Sequence, residues 1–588
     1  MSERAILDAI RVDHVRADVE HITRTIPSRL AGSENQRRMA EYSAAKLKAA
    51  GIEANVFHVP GLVSFPEKGE LKVLSPVPMT IEANTLGHST MTPPEGLEGL
   101  LLDVYTGAFH EFDGKGDPRG KITLSELSYA PARHEKQRIA GIVGAAGCIM
   151  MNWGHDTNAS VPWGSVKPLW GNPTPENYRD EMPTLPCIGI ARTDGLKLRE
   201  LAKKGPVRVW FTTKVENGWR PIQVTVGDIG KTVEDDFIVL GGHQDSWYGE
   251  AATDNAAGNS CIFELARVFA QHKDALRRGL VLGLWAGHET GTMVGSSWFV
   301  DRNWDRLREH MCAYVQIDQP ACLGTTRWGT ASNAELRGFH TAIDKRLLPG
   351  RDHHWRRASK IGDASFFGLG APMLAGNGAF TEAELNATAL ANLGWWHHSL
   401  ECTIDKVDFD WMPDHMRIYA AWLWELLTAR VLPFSYGQVA EQFIGRLNEL
   451  APSGKAIGLD GALARAEAFR AATARLDAAA DMWRQRYVRD GTRDDEPALH
   501  LNRCMKRLGR LLIPLESTSI GTYGHDPYGL TPQTTMIPCL YDAPHMAKLP
   551  EADERWMLET KLVRQRNRVA DALADATTSI DDTLARLK

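Results

Sequence analysis

The chain has 588 residues, with 73 acidic against 67 basic side chains and a net charge of −6, which excludes a nucleic-acid binder held by a basic face. A 43% hydrophobic share with 24% charged residues excludes disorder and supplies core for roughly two to four domains. No window reaches the ~18 uninterrupted apolar residues of a membrane span, and the opening MSERAILDAIRVDHV lacks an apolar signal segment, so a soluble, cytoplasmic protein with no membrane partner is expected.

In chain order, the first sixty residues read as two helices and an edge strand. Ser33 caps a helix over 34–50 that Gly51 stops. From about Pro60 to Gly205, strand-like runs such as 99–104 and 120–124 alternate with Gly and Pro, which predicts an inserted β-rich domain. Within it, 162–186 carries enough Trp and Pro to be a long ordered loop. From Val224 the pattern alternates: strand 237–240, helix 256–270, strand 280–285, helix 295–302 and strand 312–318. Such alternation predicts an α/β fold, a mixed, mostly parallel sheet covered by helices. After about Met412 the chain turns helical, with amphipathic runs over 462–487 and 553–588 and an irregular loop over 515–549. The predicted layout is a discontinuous catalytic domain (1–60 and 206–425), a β-rich insert (61–205) and a C-terminal helical domain (426–588).

The eight cysteines are scattered without a CxxC pair, which suits reduced thiols. The 18 Trp outnumber the 17 Phe and 12 Tyr, which predicts packed interfaces. Trp247, Trp285, Trp328, Trp395 and Trp396 also stand near polar loops as candidate pocket walls. The run 351–357, RDHHWRR, is basic and aromatic; in an acidic chain it reads as an exposed connection or a contact for a substrate carboxylate.

Ligands of open α/β sheets collect beyond the carboxyl ends of the strands, and every predicted strand here ends in a His, Asp or Glu. The first leads into Gly242-His243-Gln244-Asp245-Ser246-Trp247 and then Asp254-Asn255, the second into His288-Glu289, the third into Asp318, and His397-His398 follows later. Two imidazoles with three carboxylates suit a pair of zinc ions sharing one carboxylate; a water-filled polar rim without metal is the alternative. Asp245, two residues after His243, is placed to fix that ring.

This run, His243-x-Asp245-Ser246, Asp254-Asn255-x-x-Gly258, His288-Glu289-x-Gly291, Asp318 and His398, resembles the co-catalytic zinc aminopeptidases, and among them the glutamate carboxypeptidase II-like branch. Glu264-Leu265-Ala266-Arg267, Gly295-Ser296 and Gly362-Asp363-x-Ser365-Phe366 match in the same order. The resemblance implies two Zn2+ per chain. Asp254 would bridge them, His243 and Asp318 would hold one, and Glu289 and His398 the other. Asp245 would orient His243 and the Asp254–Asn255 bond would be cis; spacing alone leaves His397 or His398 as the last ligand, His398 aligning better and His397 otherwise being a packed neighbour. It further implies that the insert is a protease-associated domain and that the helical C-terminus makes a homodimer.

The sequence departs from that family at three places. His288 stands where the family has its general-base Glu, so His288 is the candidate catalytic base, an added metal ligand or a substrate donor; a metal site with little activity is a third reading. Cys402 replaces an acid. In the loop Gly524-His525-Asp526-Pro527-Tyr528, Pro527 replaces a Lys that binds a substrate carboxylate, leaving His525, Asp526 and Tyr528 as candidate substrate contacts. Trp247 and Glu250, near the first metal loop, complete that set, with Glu250 also an alternative base. The expectation is a dinuclear zinc hydrolase cleaving an amide or peptide-like C–N bond of a small molecule or short peptide. A metal-dependent non-peptidase, such as a lyase or an unusual amide hydrolase, is one alternative, and a non-catalytic binding scaffold is the other.

Overall fold

The structure, a computed structural model, describes residues 2–230, 233–529 and 535–587. The strands Phe237–His243, Gly279–Trp285 and Met311–Gln316 are buried along their whole length, which requires cover on both faces of the sheet. They run parallel to one another, with Phe237–His243 in the middle. Their side chains alternate between two cores. Ile238, Leu240, Leu280 and Leu282 join one cluster, and Val239, Val281 and Tyr314 join the other.

Around this centre the sheet is mixed. Val215–Ile229 lies antiparallel to Gly279–Trp285 and to Glu53–Pro66, the edge strand expected from the first sixty residues. On the other side, Met373–Ala379 extends the parallel set, followed by antiparallel Arg327–Ser332 and the edge strand His353–Arg357. The result is an eight-stranded sheet. The helices Ala257–Gln271 and Met412–Thr428 cover one face, and Val294–Arg302 the other.

The β-rich segment closes on itself as a barrel built from the strands Lys68–Ser75 through Arg208–Thr212, with a core of its own. It sits at the tip of a ribbon, because Pro66 pairs with Val215 just before and just after it. The predicted bounds 61 and 205 are therefore off. Residue 61 lies inside Glu53–Pro66, and 205 falls short of the last barrel strand. The loop over 162–186 holds one short helix, Pro175–Glu181.

The N-terminus holds three helices rather than two. Glu3–Asp8 ends and Val12–Thr25 begins where the Arg11 amide donates to Glu264 Oε1 at 2.7 Å, while Arg267 donates to the Ala9 carbonyl. A buried carboxylate competing for a backbone N–H interrupts the helix there. Ser33 caps Glu34–Ala49 by accepting from the Gln36 amide, as the sequence predicts.

The C-terminal region is helical. Gly437–Leu450, Asp460–Arg489, Glu496–Ser517 and Asp553–Arg586 pack on the larger core cluster. The predicted loop over 515–549 starts as the last turn of a helix and later holds the short turns Pro538–Leu540 and Ala543–Met546; its residues 530–534 lie outside the described residues. No helix among the described residues is long and apolar enough to cross a membrane.

Candidate metal centre

The loops that follow the central strands are pinned by amides. A Cβ at Gly242 would lie 2.6 Å from the Ile317 carbonyl, so only glycine lets the neighbouring strand end approach. Asn255 donates to that same carbonyl at 3.1 Å and accepts from the Gly258 and Gln319 amides. Asn259 donates to the His243 and Asn255 carbonyls. The Asp254–Asn255 bond is cis. These contacts set Asp254 against the end of the strand that carries His243.

The predicted ligands converge there. His243 Nε2 lies 3.0 Å from Asp254 Oδ1 and 3.5 Å from Asp318 Oδ1. His398 Nε2 lies 3.2 Å from Asp254 Oδ2 and 3.1 Å from Glu289 Oε1. Asp254 therefore stands between the two imidazoles, with Asp318 on one side and Glu289 on the other. His397 stacks on His398 at 3.7 Å and brings Nδ1 to 3.2 Å from Asp254 Oδ2.

Burial alone would push the carboxyl of Asp254 up and the ring of His243 down. Asp318 and Asp254 reverse this for His243, held well above the usual imidazole range, and His243, His397 and His398 reverse it for Asp254, held well below the usual carboxylate range. For His397, burial and the neighbouring His398 push the ring down to about 4.

The donor set fits divalent metal on an independent ground. His243 Nε2, Glu289 Oε1 and Asp318 Oδ1 are buried atoms with no hydrogen-bond partner, a condition that costs free energy unless a cation completes it. His243, Asp254 and Asp318 bring ligand atoms within 4.8 Å of one another, as do Asp254, His397 and His398, and also His243, His288 and Glu289.

His288 lies beside this cluster, its ring stacked on His243 at 3.9 Å between centroids. Its Nδ1 is 2.9 Å from Asp363 Oδ2. An ionised carboxylate only accepts, so Nδ1 carries the hydrogen and Nε2 is left as the basic atom. Asp363 is fixed in turn by Ser296, which contacts Ser365, itself receiving the Trp170 indole N–H. Burial and His243 oppose charging of His288, but Asp363 outweighs them and pushes the ring up to about 9. Asp363 was visible in the sequence only as part of a matching motif, with no role attached.

Several expected residues stand elsewhere or act differently. Asp245 meets His243 chiefly through its main-chain oxygen, 3.0 Å from Nδ1, whereas its carboxylate accepts the amides of His288 and Glu289 at 3.2 and 3.0 Å. Burial raises that carboxyl to about 6. Trp247 turns inward: its buried indole donates to Glu289 Oε2 at 2.7 Å. Glu250 accepts from the Ile404 amide and lies outside the cavity.

In the C-terminal loop, His525 pairs with Asp301, and buried Asp526 caps its own loop by accepting from the Ser519 and Ile520 amides; neither reaches the cavity. Only Tyr528 does, its ring edge-on to His134 and Trp170. Trp285, Trp328, Trp395 and Trp396 pack behind the loops rather than lining the cavity, as a large apolar ring does when a core is available. Cys402 is a buried packing residue, its Sγ 3.1 Å from Thr253 Oγ1.

The cavity over the cluster measures about 410 Å³. Asp254, His288, Glu289, Asp318 and His398 form its floor. Ser128, Arg133, His134 and Trp153 come from the segment that builds the barrel, and Arg356 from the far edge strand. Sequence reasoning missed the first four, since nothing in their local pattern marks a face turned toward another domain.

The fold is that of the α/β zinc aminopeptidases. It superposes on a zinc aminopeptidase from Bacillus subtilis with a TM-score of 0.54 at 18% identity, over 71% of this chain and 95% of that one. More narrowly, residues 225–344 match the model of peptidase family M28. It is 24% identical over 350 residues to a probable glutamate carboxypeptidase, VP8, from Zea mays, covering 49% of this chain and 48% of that protein. It is 25% identical over 286 residues to carboxypeptidase Q from Xenopus laevis, covering 47% of this chain and 59% of that protein. The chain thus spans about half the length of these curated relatives.

Proposed function

We propose that the protein is a zinc-dependent hydrolase that cleaves the C–N bond of a small amide or short peptide. The observation that carries this is the convergence of His243, Asp254, Glu289, Asp318 and His398 on one point, with buried donor atoms left without partners. Asp254 would be shared by two ions, His243 and Asp318 would complete one ligand set, and Glu289 and His398 the other. When bound, zinc supplies Lewis acidity that polarises the scissile carbonyl and eases ionisation of water.

The chain's own residues do the rest. In the metal-free protein the ring is charged at neutral pH; divalent ions beside it would favour the neutral form, and His288 then accepts the proton of the attacking water at Nε2 while the water oxygen bonds to the carbonyl carbon. Asp363 holds the imidazolium that forms. As the C–N bond breaks, His288 returns the proton to the leaving nitrogen. Asp245 positions the His288–Glu289 turn through its amides, and Trp247 orients the Glu289 carboxylate. The Asp363 contact supports the base reading. The proximity of His288 to His243 and Glu289 supports a second reading, in which His288 is an added ligand.

His288→Ala and His288→Glu separate the two. Under the base reading, alanine keeps the zinc and loses turnover, and glutamate restores peptide hydrolysis. Loss of zinc from the alanine variant would put His288 among the ligands, and unchanged turnover would remove it from the chemistry. The proposal extends to a protease-associated role for the barrel segment and to homodimerisation through the C-terminal helices. It also includes a cytoplasmic setting, suited to eight buried cysteines that are all unpaired.

A further inference from the structure

The long loop over 162–186 joins the barrel strands Gly147–Met151 and Cys187–Ile190, yet it reaches beyond the barrel onto the turn that carries His288 and Glu289. Lys167 Nζ donates to the Gly291 carbonyl at 2.7 Å and to the Gly171 carbonyl at 2.9 Å. The Gly171 amide donates to the Thr292 carbonyl at 2.6 Å, and Thr292 Oγ1 donates to the Lys167 carbonyl at 3.2 Å. Lys167 is wholly buried and forms no ion pair among the described residues, so these carbonyls are what its ammonium has in place of water. The contacts fall where the turn needs holding: Thr292 and Met293 are both left-handed, at φ 56° and 64°, which persists only where the surroundings enforce it. A Cβ at Gly171 would lie 2.1 Å from Ser297 Oγ, so the loop seats there only as glycine.

Trp170 stands between these two anchors and is buried, with the Lys360 ammonium 4.6 Å from its ring centroid. Its indole N–H donates to Ser365 Oγ at 2.9 Å, Ser365 Oγ lies 2.9 Å from Ser296 Oγ, and Ser296 donates to Asp363 Oδ1 at 2.7 Å. Asp363 Oδ2 in turn holds His288 Nδ1. The two ends fix the direction of every link, because an indole N–H only donates and an ionised carboxylate only accepts. The Ser296 hydrogen goes to Asp363, its other acceptor, the Met293 carbonyl, being 3.5 Å away. Ser365 is therefore the donor to Ser296. Every hydrogen in the chain points toward Asp363, and hydrogen bonds aligned in this way inside a protein strengthen one another.

We propose that Trp170 is a positioning residue of the hydrolytic centre: seated by Lys167, it stabilises the Asp363 carboxylate through Ser365 and Ser296, and so keeps the Nδ1 hydrogen on His288 and leaves Nε2 to take the proton in transit. The segment that builds the barrel is then part of the proton-transfer apparatus as well as a wall of the cavity. This rests on the hydrolase reading for the role of His288, whereas the relay itself can be read without turnover.

Two readouts test it. In protein labelled with nitrogen-15 at tryptophan and equilibrated with zinc, Trp170→Phe identifies the Trp170 indole resonance by its loss. Asp363→Asn, three hydrogen bonds away, is expected to move that indole proton upfield, because a neutral amide polarises the chain less than a carboxylate. An unmoved resonance overturns the proposal. In turnover, Trp170→Phe, which keeps an aromatic ring in place, and Ser365→Ala, which cuts the chain one step on, are each expected to lower kcat about 3- to 10-fold at unchanged KM and zinc content. In an Asp363→Asn background the same changes are expected to cost less than about 2-fold, since the group they act through is gone. Equal losses in both backgrounds would mark a merely structural role and overturn the proposal, as would no loss in either variant. A protein that shows the indole shift and hydrolyses no C–N bond would instead sink the hydrolase reading and leave the relay standing.

Discussion

Replacing Asp363 by Asn probes the residue on which the base assignment leans. The carboxylate sits 2.9 Å from His288 Nδ1, is wholly buried, and raises the ring from the ordinary 6.5 to about 9 against the cost of burial. A hydrogen bond to a charging ring is worth about 1.5–3 kcal/mol, and the imidazolium that develops as His288 takes its proton is the form it favours. Losing it slows turnover by on the order of 10²-fold. An amide can also donate to Nδ1 and select the tautomer whose Nε2 is no longer basic, which raises the loss toward ~10⁴-fold. The assay is kcat and KM on a peptide or small-amide substrate, with zinc measured on the same sample. The expected result is a large fall in kcat at nearly constant KM and full zinc content. A kcat within about 3-fold of wild type would refute the reasoning, because no rate-relevant proton then passes through a ring held by Asp363.

Two further outcomes follow from the same geometry. In the metal-free protein His243 and His398 both hold protons above their ordinary range, burial opposing this and the neighbouring carboxylates outweighing it; metal must displace those protons, so zinc affinity falls as pH falls, by up to ~100-fold per pH unit while both rings are charged. Competition with a chelator across about pH 8 to 6 measures this, and a flat profile would contradict it. Trp247→Phe removes the donor to buried Glu289 Oε2, a loss of about 1–3 kcal/mol; zinc affinity should drop about 10- to 100-fold, whereas an unchanged affinity in the same chelator competition would show that the indole does not tune the ligand.

What the sequence made legible was local. Phe237–His243, Gly279–Trp285 and Met311–Gln316 read as buried strands because they are apolar without alternation, and each places its polar residue at its own end or just past it. That is why His243, Glu289 and Asp318 could be named before any geometry. What the sequence hid depends on which distant surfaces meet. Asp363 follows His288 by 75 positions, and Arg133 opens a helix of the segment that builds the barrel. Trp247 reads as a pocket wall next to a metal loop, but its indole turns inward to Glu289 Oε2. His525 and Asp526 were placed by position in a loop, and the loop spends them on its own amides and on Asp301. Periodicity tells which face of a strand is buried and says nothing about the side chain it will face.

The central claim is that five side chains form a two-metal site with Asp254 shared between the ions. Elemental analysis of the purified wild-type protein and of Asp254→Asn, both equilibrated with zinc and dialysed, tests it most directly. The account predicts about two zinc ions per wild-type chain and close to none in the variant. A wild-type chain that stays metal-free, or a variant that keeps both ions, would contradict it.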